Sequence, residues 1–362
     1  MKKLKILNLS SKGKGGLEAF AKSLHEELKD EFDIKTIAGE ENLLKLWKLV
    51  TESNIIFTHK NSFIKKIFPA LIIPSFINPK KQNNKRVIAF QNFSLIGSKK
   101  KDIFHKILYS KVDKFITISK KIEERMKKNW AVDPQKIITI YCGVDNEKYS
   151  FSPEIRYKQR ENLKIQKDEI VFGVVAKFLQ KKNQEIIIKA ISNSEKLKNE
   201  KIKIIFVGAP EDEKYYKKIK EMIKNSRMEN KVIFLPFTEE INKIYNAFDF
   251  LVITSKDEAF GLVGLEALAT KIPVISPDEA GISEILEDGK DSFIYKTNNE
   301  KSLAEKIETA LGTSEEKRKM MGEYGRRKIE EKFTMKRCAS DIKKVIYELI
   351  SSSPKNKAKV LE

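Results

Sequence analysis

The sequence predicts an α/β protein built from two doubly wound parallel sheets in tandem, and three observations carry the prediction. Short apolar runs alternate with longer segments of helical apolar spacing along the whole chain. The runs are continuously apolar, as strands covered on both faces are. A polar segment containing Pro153, from Gly143 to Lys167, interrupts the series near its middle.

The first series opens with a strand at Leu4–Leu9, a Gly/Ser/Lys loop from Ser10 to Gly16, and a helix with apolar positions at Leu17, Phe20, Ala21, Leu24 and Leu28. Further strands are expected at Ile34–Ile37, Asn54–Thr58, Val87–Phe90, Lys114–Ile118 and Lys136–Tyr141. After the interruption, Ile170–Ala176 begins a second series. It continues through Lys203–Val207, Val232–Leu235, Phe250–Thr254, Pro273–Ser276 and Ser292–Tyr295. Helices at Lys301–Leu311, Ser314–Lys332 and Met335–Ile350 follow, and the polar stretch from Ser351 to Glu362 is expected to fray. The boundary is placed between 150 and 168, which gives domains of 1–160 and 161–334 and a flexible tail at 353–362. Two such sheets would place their carboxyl edges across a cleft, where ligands of doubly wound folds bind.

Composition narrows the function. A length of 362 residues suits two ordinary domains, and a 41% hydrophobic fraction supports a globular chain. No apolar run approaches the roughly 20 residues that span a bilayer, and the amino-terminal apolar stretch is too short for a secretion signal, so a cytoplasmic protein is expected. Cys142 and Cys338 lie in different halves without metal-ligand spacing and read as reduced thiols. The net charge of +20 requires an acidic counterpart: nucleic acid, anionic lipid or a phosphorylated substrate. Lysines spread along amphipathic helices such as Lys106 to Lys128 form no nucleic-acid motif, and solvated helix faces account for part of them.

The most informative stretch is Ser255–Ala269, which follows the apolar run Phe250–Thr254. In it Glu258 precedes Phe260-Gly261, and a helix is expected from Leu262 to Thr270. Glu258 is thereby placed at the helix amino terminus and Glu266 about two turns in. Free helix-start N–H groups favour phosphate, and carboxylates accept hydroxyl hydrogen bonds. One ligand carrying both groups is a nucleotide sugar. The same two glutamates also fit simple helix-dipole pairing and solvation.

Gly13, Gly15 and Gly16 lie between the first strand and its helix, where backbone amides can approach an anion. Glu18 occupies the place of a third dinucleotide-fingerprint glycine, which argues against NAD. Lys177, Lys181 and Lys182 follow the strand ending at Ala176 and can set ammonium groups over a diphosphate. His59, Gln91 and Asn92 end strands and are expected to open onto the cleft edge. His25 and His105 fall on helices facing no evident partner, and neither a Ser-His-Asp order nor a paired His-Glu metal motif is found.

Several ordered blocks together resemble the retaining glycosyltransferases of family 4. Glu258 and Glu266 are similar to that family's pair of glutamates eight residues apart, and Pro273–Ser276 and Gly281–Glu284 follow as they do there. Tyr141–Asp145 resembles its Asn-Gly-Val-Asp turn, Val175–Lys182 its Gly-Arg-Leu…Lys block, and Phe206–Gly208 its strand-end glycine. The chain departs from the pattern at Lys177 (usually Arg), Ala176 and Asn183 (glycines), Cys142 (Asn) and Gln91 (often His).

The resemblance implies a GT-B architecture of two Rossmann-like domains, with a last helix from about Met335 crossing back to the first. It implies that Glu258 contacts the donor sugar and Glu266 the ribose, and that Lys177 and Lys182 hold the diphosphate. Backbone amides at Phe260, Gly261 and Leu262 would complete the anion site with Gly208 nearby, while Gly15, Gly16, His59 and Gln91 would serve the phosphate or acceptor. It also implies metal-independent transfer from a nucleotide-diphosphate sugar, UDP type, to a glycan or lipid-linked acceptor in cell-envelope polymer synthesis. An anionic membrane surface is a further expected partner, and nucleic acid is not. A nucleotide-sugar epimerase on the same scaffold and a non-catalytic nucleic-acid-binding protein are the alternative readings.

Overall fold

The structure, a computed structural model, describes residues 3–10, 15–38, 42–77, 85–91 and 99–352. All six apolar runs of the first series form strands: β1 (Lys5–Ser10), β2 (Asp33–Ala38), β3 (Ile55–Thr58), β4 (Arg86–Gln91), β5 (Lys114–Thr117) and β6 (Ile137–Thr139). They make one parallel sheet in the order β2-β1-β3-β4-β5-β6, with Ile6 in register with Ile34 on one side and Ile55 on the other. The connecting helices are α1 (Gly16–Leu28), α2 (Leu43–Glu52), α3 (Asn61–Ile77), α4 (Ile103–Ser110) and α5 (Lys120–Asn129). The stretch Lys106–Lys128 is thus divided between α4 and α5, because the β-branched and aromatic run around Phe115-Ile116 joins the sheet between them.

The second unit, Val144–Thr334, begins with α6 (Pro153–Asn162). It continues with β7 (Ile170–Val175), α7 (Glu185–Ser192), α8 (Glu195–Asn199), β8 (Ile202–Val207), α9 (Glu213–Asn225) and β9 (Val232–Leu235). Then come α10 (Ile241–Tyr245), β10 (Phe250–Val252), α11 (Leu262–Ala269), β11 (Val274–Pro277), β12 (Ser292–Tyr295), α12 (Glu300–Leu311) and α13 (Glu315–Lys332). The strands form a second parallel sheet, ordered β12-β11-β10-β7-β8-β9. Its core stacks Phe172, Ile204, Phe206, Phe250 and Ile275 from the strands against Ile187, Ile219 and Ile307 from the helices.

In each sheet the strand order reverses at one place, between β1 and β3 and between β7 and β10. Helices on either side of that reversal diverge, which opens a crevice at the carboxyl ends of the two strands. Such a crevice positions the loop after β7, carrying Lys177 and Lys182, beside the loop after β10, carrying Glu258.

The boundary expected near 160 lies instead at Gly143/Val144. Helix α6 is polar, but its Arg156 and Arg160 grip the buried Asp249 at 2.6 and 3.0 Å, and Ser152 N–H donates to Asn246 Oδ1 at 2.8 Å. Those bonds fasten residues after 144 to the second unit. The last helix, α14 (Met335–Ser351), groups with the first unit, and its Lys343 pairs with Glu31 at 2.6 Å. It brings the buried Cys338 to the backbone of Gly143, so the two cysteines belong to one unit rather than to different halves. Burial pushes the Cys142 thiol well up, with Cys338 adding to the shift, and both cysteines are free. Among the described residues no helix is long and apolar enough to cross a membrane. The expected tail at 353–362 lies outside the described residues.

Candidate functional site

The loop after β10 is held in place before it does any chemistry. Thr254 Oγ1 donates to the carbonyl of Lys182 at 2.7 Å, and Lys256 N–H donates to the carbonyl of Lys181 at 3.0 Å, so the loops after β7 and β10 are stitched together. From the other side, Gly281 N–H donates to the Glu258 carbonyl at 3.1 Å and Ile282 N–H to the Phe260 carbonyl at 2.6 Å. A Cβ on Gly281 would sit 2.1 Å from the Ala259 oxygen, so only glycine lets the two backbones meet.

Within this frame Glu258 Oε2 accepts from Lys182 Nζ at 2.7 Å and from Ser255 Oγ at 2.8 Å. Its Oε1 makes no hydrogen bond to any described residue and can accept from a ligand hydroxyl. Burial raises the Glu258 carboxyl, but the Lys182 ammonium and the Ser255 hydroxyl outweigh it and hold the group below its ordinary value. The pair is largely withdrawn from solvent, at 25% and 16% side-chain exposure. Its electrostatics are therefore stronger than those of a surface bridge.

Helix α11 starts at Gly261, whose φ of 102° is left-handed, and no side chain caps it. The helix start thus lacks the usual Ser or Asp acceptor, which suits an anion. The helix begins at Leu262 as expected, but Glu258 lies in the loop four residues before it rather than at its amino terminus, and Glu266 is one turn in rather than two. The Phe260 side chain is buried, leaving only its backbone for a ligand.

Glu266 is half-buried, and both its oxygens are engaged. Tyr245 Oη donates to Oε2 at 2.7 Å and Tyr149 Oη to Oε1 at 3.1 Å. Burial pushes this carboxyl up, only partly countered by the two tyrosine hydroxyls. The two rings meet edge to face at 5.9 Å. Arg326 of α13 fixes the Tyr149 segment by donating to the carbonyls of Asn146, Tyr149 and Ala269 at 2.7–2.8 Å.

Lys177 comes to the same sheet edge but pairs with Glu211 at 2.6 Å, not with Glu258. This bridge is partly exposed, of a kind worth at most about 1 kcal/mol, so a diphosphate can displace the carboxylate. Gly208 serves packing: a Cβ there would meet the Ala176 oxygen at 2.1 Å. Asn183, where the family pattern has glycine, adopts φ 53° and ψ 38°, the left-handed conformation that Asn tolerates best after glycine.

In the first unit, Gly15 caps α1 with extended backbone and Gly16 is its first residue, while Gly13 lies outside the described residues. His59 and Gln91 do not open onto an edge. Both are buried, His59 directly after the interior strand β3 and Gln91 at the end of the interior strand β4. The His59 ring stacks on Phe90 at 4.6 Å, and burial lowers its pKa to about 3, so it is neutral. Its Nε2 meets Asn8 Oδ1 at 2.8 Å, and the Asn8 amide donates to Thr36 Oγ1 and the Ala21 carbonyl. The ring proton therefore sits on Nε2 and leaves Nδ1 as an acceptor without a partner among the described residues. Gln91 Nε2 donates to Asn61 Oδ1 at 3.1 Å, and Gln91 Oε1 and Thr58 Oγ1 are likewise unpartnered among the described residues. Asn92 lies outside those residues. His25 and His105 have partners after all, in Thr36 Oγ1 at 2.9 Å and the helix-capping Asp102 at 2.6 Å. No three His, Cys, Asp or Glu side chains converge as metal ligands among the described residues.

Sequence reasoning missed Tyr149, Tyr245, Arg326 and Glu211. Tyr149 is 117 residues from Glu266, a distance over which spacing carries no signal. Glu211 had one, lying three residues past a strand-end glycine on the same sheet edge.

Residues 155–328 match the model of the glycosyl transferases group 1 family. The second unit belongs to that family. An uncharacterized glycosyltransferase of Methanocaldococcus jannaschii is 31% identical over 248 residues, covering 68% of this chain and 62% of the relative. The N-acetyl-alpha-D-glucosaminyl L-malate synthase of Bacillus anthracis is 25% identical over 228 residues, 62% of this chain and 58% of the relative. The chain thus spans about three fifths of the length of these curated relatives. Among solved structures, Anabaena HepE in complex with UDP-glucose superposes with a TM-score of 0.82 at 19% identity, over 95% of this chain and all of that one. A Rickettsia africae glycosyltransferase gives 0.82 at 20% identity, over 98% and 100%. The group 1 unit and its amino-terminal companion therefore have the GT-B type of fold, as the sequence pattern implied.

Proposed function

We propose that the protein is a retaining glycosyltransferase that moves a sugar from a nucleoside-diphosphate sugar, UDP type, to a hydroxyl of a glycan or lipid-linked acceptor, without a metal ion. The observation that carries the reading is the Lys182–Glu258 pair beside the uncapped start of α11, at the strand-order reversal of a group 1 domain. Lys182 and the α11 amides face the diphosphate, Glu258 Oε1 accepts a sugar hydroxyl, and Glu266 accepts from the ribose. The UDP preference draws support from the UDP-glucose complex of HepE. The related capsular polysaccharide biosynthesis glycosyltransferase CapM of Staphylococcus aureus, 24% identical over 221 residues (60% of this chain and 57% of that one), favours a cell-envelope polymer as product.

In the transfer step the bond between the sugar anomeric carbon and the diphosphate oxygen breaks, and the acceptor oxygen bonds the same carbon from the same face. The acceptor proton passes to the departing diphosphate. Lys182 and the helix amides stabilise the charge that develops on the leaving group, a contribution of several kcal/mol in a preorganised, half-dry site. No side chain is needed as nucleophile. The test is turnover of UDP-, GDP- and ADP-sugars with and without acceptor lipids, read by NMR of the products. Release of UDP with an axial product from an axial donor supports the reading. An epimerised donor, or turnover unchanged in Lys182→Ala, contradicts it.

A further inference from the structure

The two lysines assigned to the diphosphate meet carboxylates of different character. Lys182 pairs with Glu258, whose side chain is 16% exposed and takes a second hydrogen bond from Ser255. Lys177 pairs with Glu211 at 2.6 Å, and the Glu211 side chain is 50% exposed. This second pairing is prepared by the backbone. Phe178 N–H donates to the Ala209 carbonyl at 2.9 Å and Asp212 N–H to the Phe178 carbonyl at 3.0 Å, so the loops after β7 and β8 are sewn together. Gly208 lets the second loop approach the Ala176 oxygen, and the buried Gln184 donates from Nε2 to the Lys177 carbonyl at 2.9 Å. Asp212, beside Glu211, is committed to α9, accepting from Tyr215 N–H at 3.0 Å. The backbones of Lys177 and Glu211 are thereby fixed near each other, and only their side chains can exchange partners.

We propose that Glu211 is an internal competitor for the diphosphate, whose carboxylate contests the Lys177 ammonium and so loosens the hold on the nucleoside-diphosphate product. The proposal rests on the reading that Lys177 and Lys182 face a diphosphate. Transfer frees the terminal phosphate, which then carries about one more negative charge than in the nucleotide sugar. Two lysines and a helix start would therefore retain the product more tightly than the donor. A carboxylate tethered beside the lysine competes at high effective concentration. Half exposed, it can turn into water when a diphosphate takes Lys177. Glu258 keeps its place through Ser255 and remains to accept from the sugar. A partly exposed bridge of this kind is worth up to about fivefold in an equilibrium constant, enough to favour release without preventing binding.

The test is calorimetric titration of the full chain with UDP, UDP-glucose and uridine. Glu211→Gln should bind UDP about two- to fivefold more tightly than wild type, gain less toward UDP-glucose and leave uridine affinity unchanged. Its inhibition constant for UDP as product should fall by the same factor. Lys177→Ala should bind UDP about tenfold more weakly. Adding Glu211→Gln to that variant should erase most of the gain, because the carboxylate then has no lysine to contest. Glu213→Gln removes an exposed charge two residues away and should leave all three affinities within about 1.5-fold of wild type. Unchanged or weaker UDP binding by Glu211→Gln, an equal gain with and without Lys177, or an equal gain for uridine would overturn the proposal. In each of those cases wild-type UDP binding leaves the donor reading standing. A wild type that binds no nucleoside diphosphate removes the donor reading and this proposal with it.

Discussion

Replacing Glu266 by glutamine separates the two site carboxylates by opposite signs. Glutamine keeps one acceptor oxygen but puts an NH₂ where a tyrosine hydroxyl and a ribose hydroxyl both need an acceptor. It also removes the charge that strengthens the remaining bonds. Hydrogen bonds to a charged group are worth about 1.5–3 kcal/mol, so UDP should bind roughly 10- to 150-fold more weakly. Stability should move the other way. Burial raises the folded pKa of Glu266 above its unfolded value, so the folded state binds a proton more tightly and gains stability as pH falls through the folded pKa. Near neutrality the ionised carboxylate costs stability, and Glu266→Gln should leave the melting temperature unchanged or raised. Glu258 is held low by Lys182 and Ser255, so its stabilisation is present above its ordinary value of 4.5 and is lost as pH falls through its depressed folded pKa. Glu258→Gln should therefore lower the melting temperature at pH 7.5, and the deficit should shrink in acid. Calorimetric titration with UDP and scanning calorimetry at the two pH values read all of this. The reasoning is refuted if Glu266→Gln binds UDP within about twofold of wild type, or if both variants lose stability alike.

Four further outcomes follow from the same contacts. Tyr245→Phe removes a hydrogen bond that favours ionised Glu266, so the acid limb of the UDP-binding pH profile should move to higher pH, detectable by titrations between pH 4 and 8. Gly281→Ala places a methyl against the Ala259 oxygen and should displace the Glu258 loop, lowering donor affinity more than about tenfold while circular dichroism keeps its α/β shape. Asp249→Ala leaves Arg156 and Arg160 without their buried partner and should cost about 3–5 kcal/mol in urea unfolding, with a matching fall in midpoint. Chelation with EDTA should leave the transfer rate unchanged, because lysine and helix amides supply the positive charge.

Strand positions were legible because buried parallel strands announce themselves as uninterrupted apolar runs, and each expected run, from Leu4–Leu9 to Ser292–Tyr295, contributes a strand. The glutamate pair was legible for a similar reason, since a strand, a glycine turn and a helix follow one another within twenty residues. What the sequence hid lies across long separations or depends on burial. Arg156 and Arg160 read as part of a polar interruption between the two series until Asp249, some ninety residues on, claims them for the second unit. His59 and Gln91 end their strands as expected, but packing of Phe90 and Asn61 over them decides that they are interior. Lys177 and Lys182 are five residues apart with identical chemistry, and only the fold shows that one meets Glu258 and the other Glu211.

The central claim is that the carboxyl edge of the second sheet holds a nucleoside-diphosphate sugar through Lys182 and Glu258. Titration of the wild-type chain and of Lys182→Ala with UDP-glucose, followed calorimetrically, tests it most directly. The account predicts one donor bound per chain and at least about a tenfold loss of affinity in the variant, the worth of one charge-assisted contact. Equal affinity in the two proteins, or no binding of UDP-, GDP- or ADP-sugars by the wild type, would contradict it.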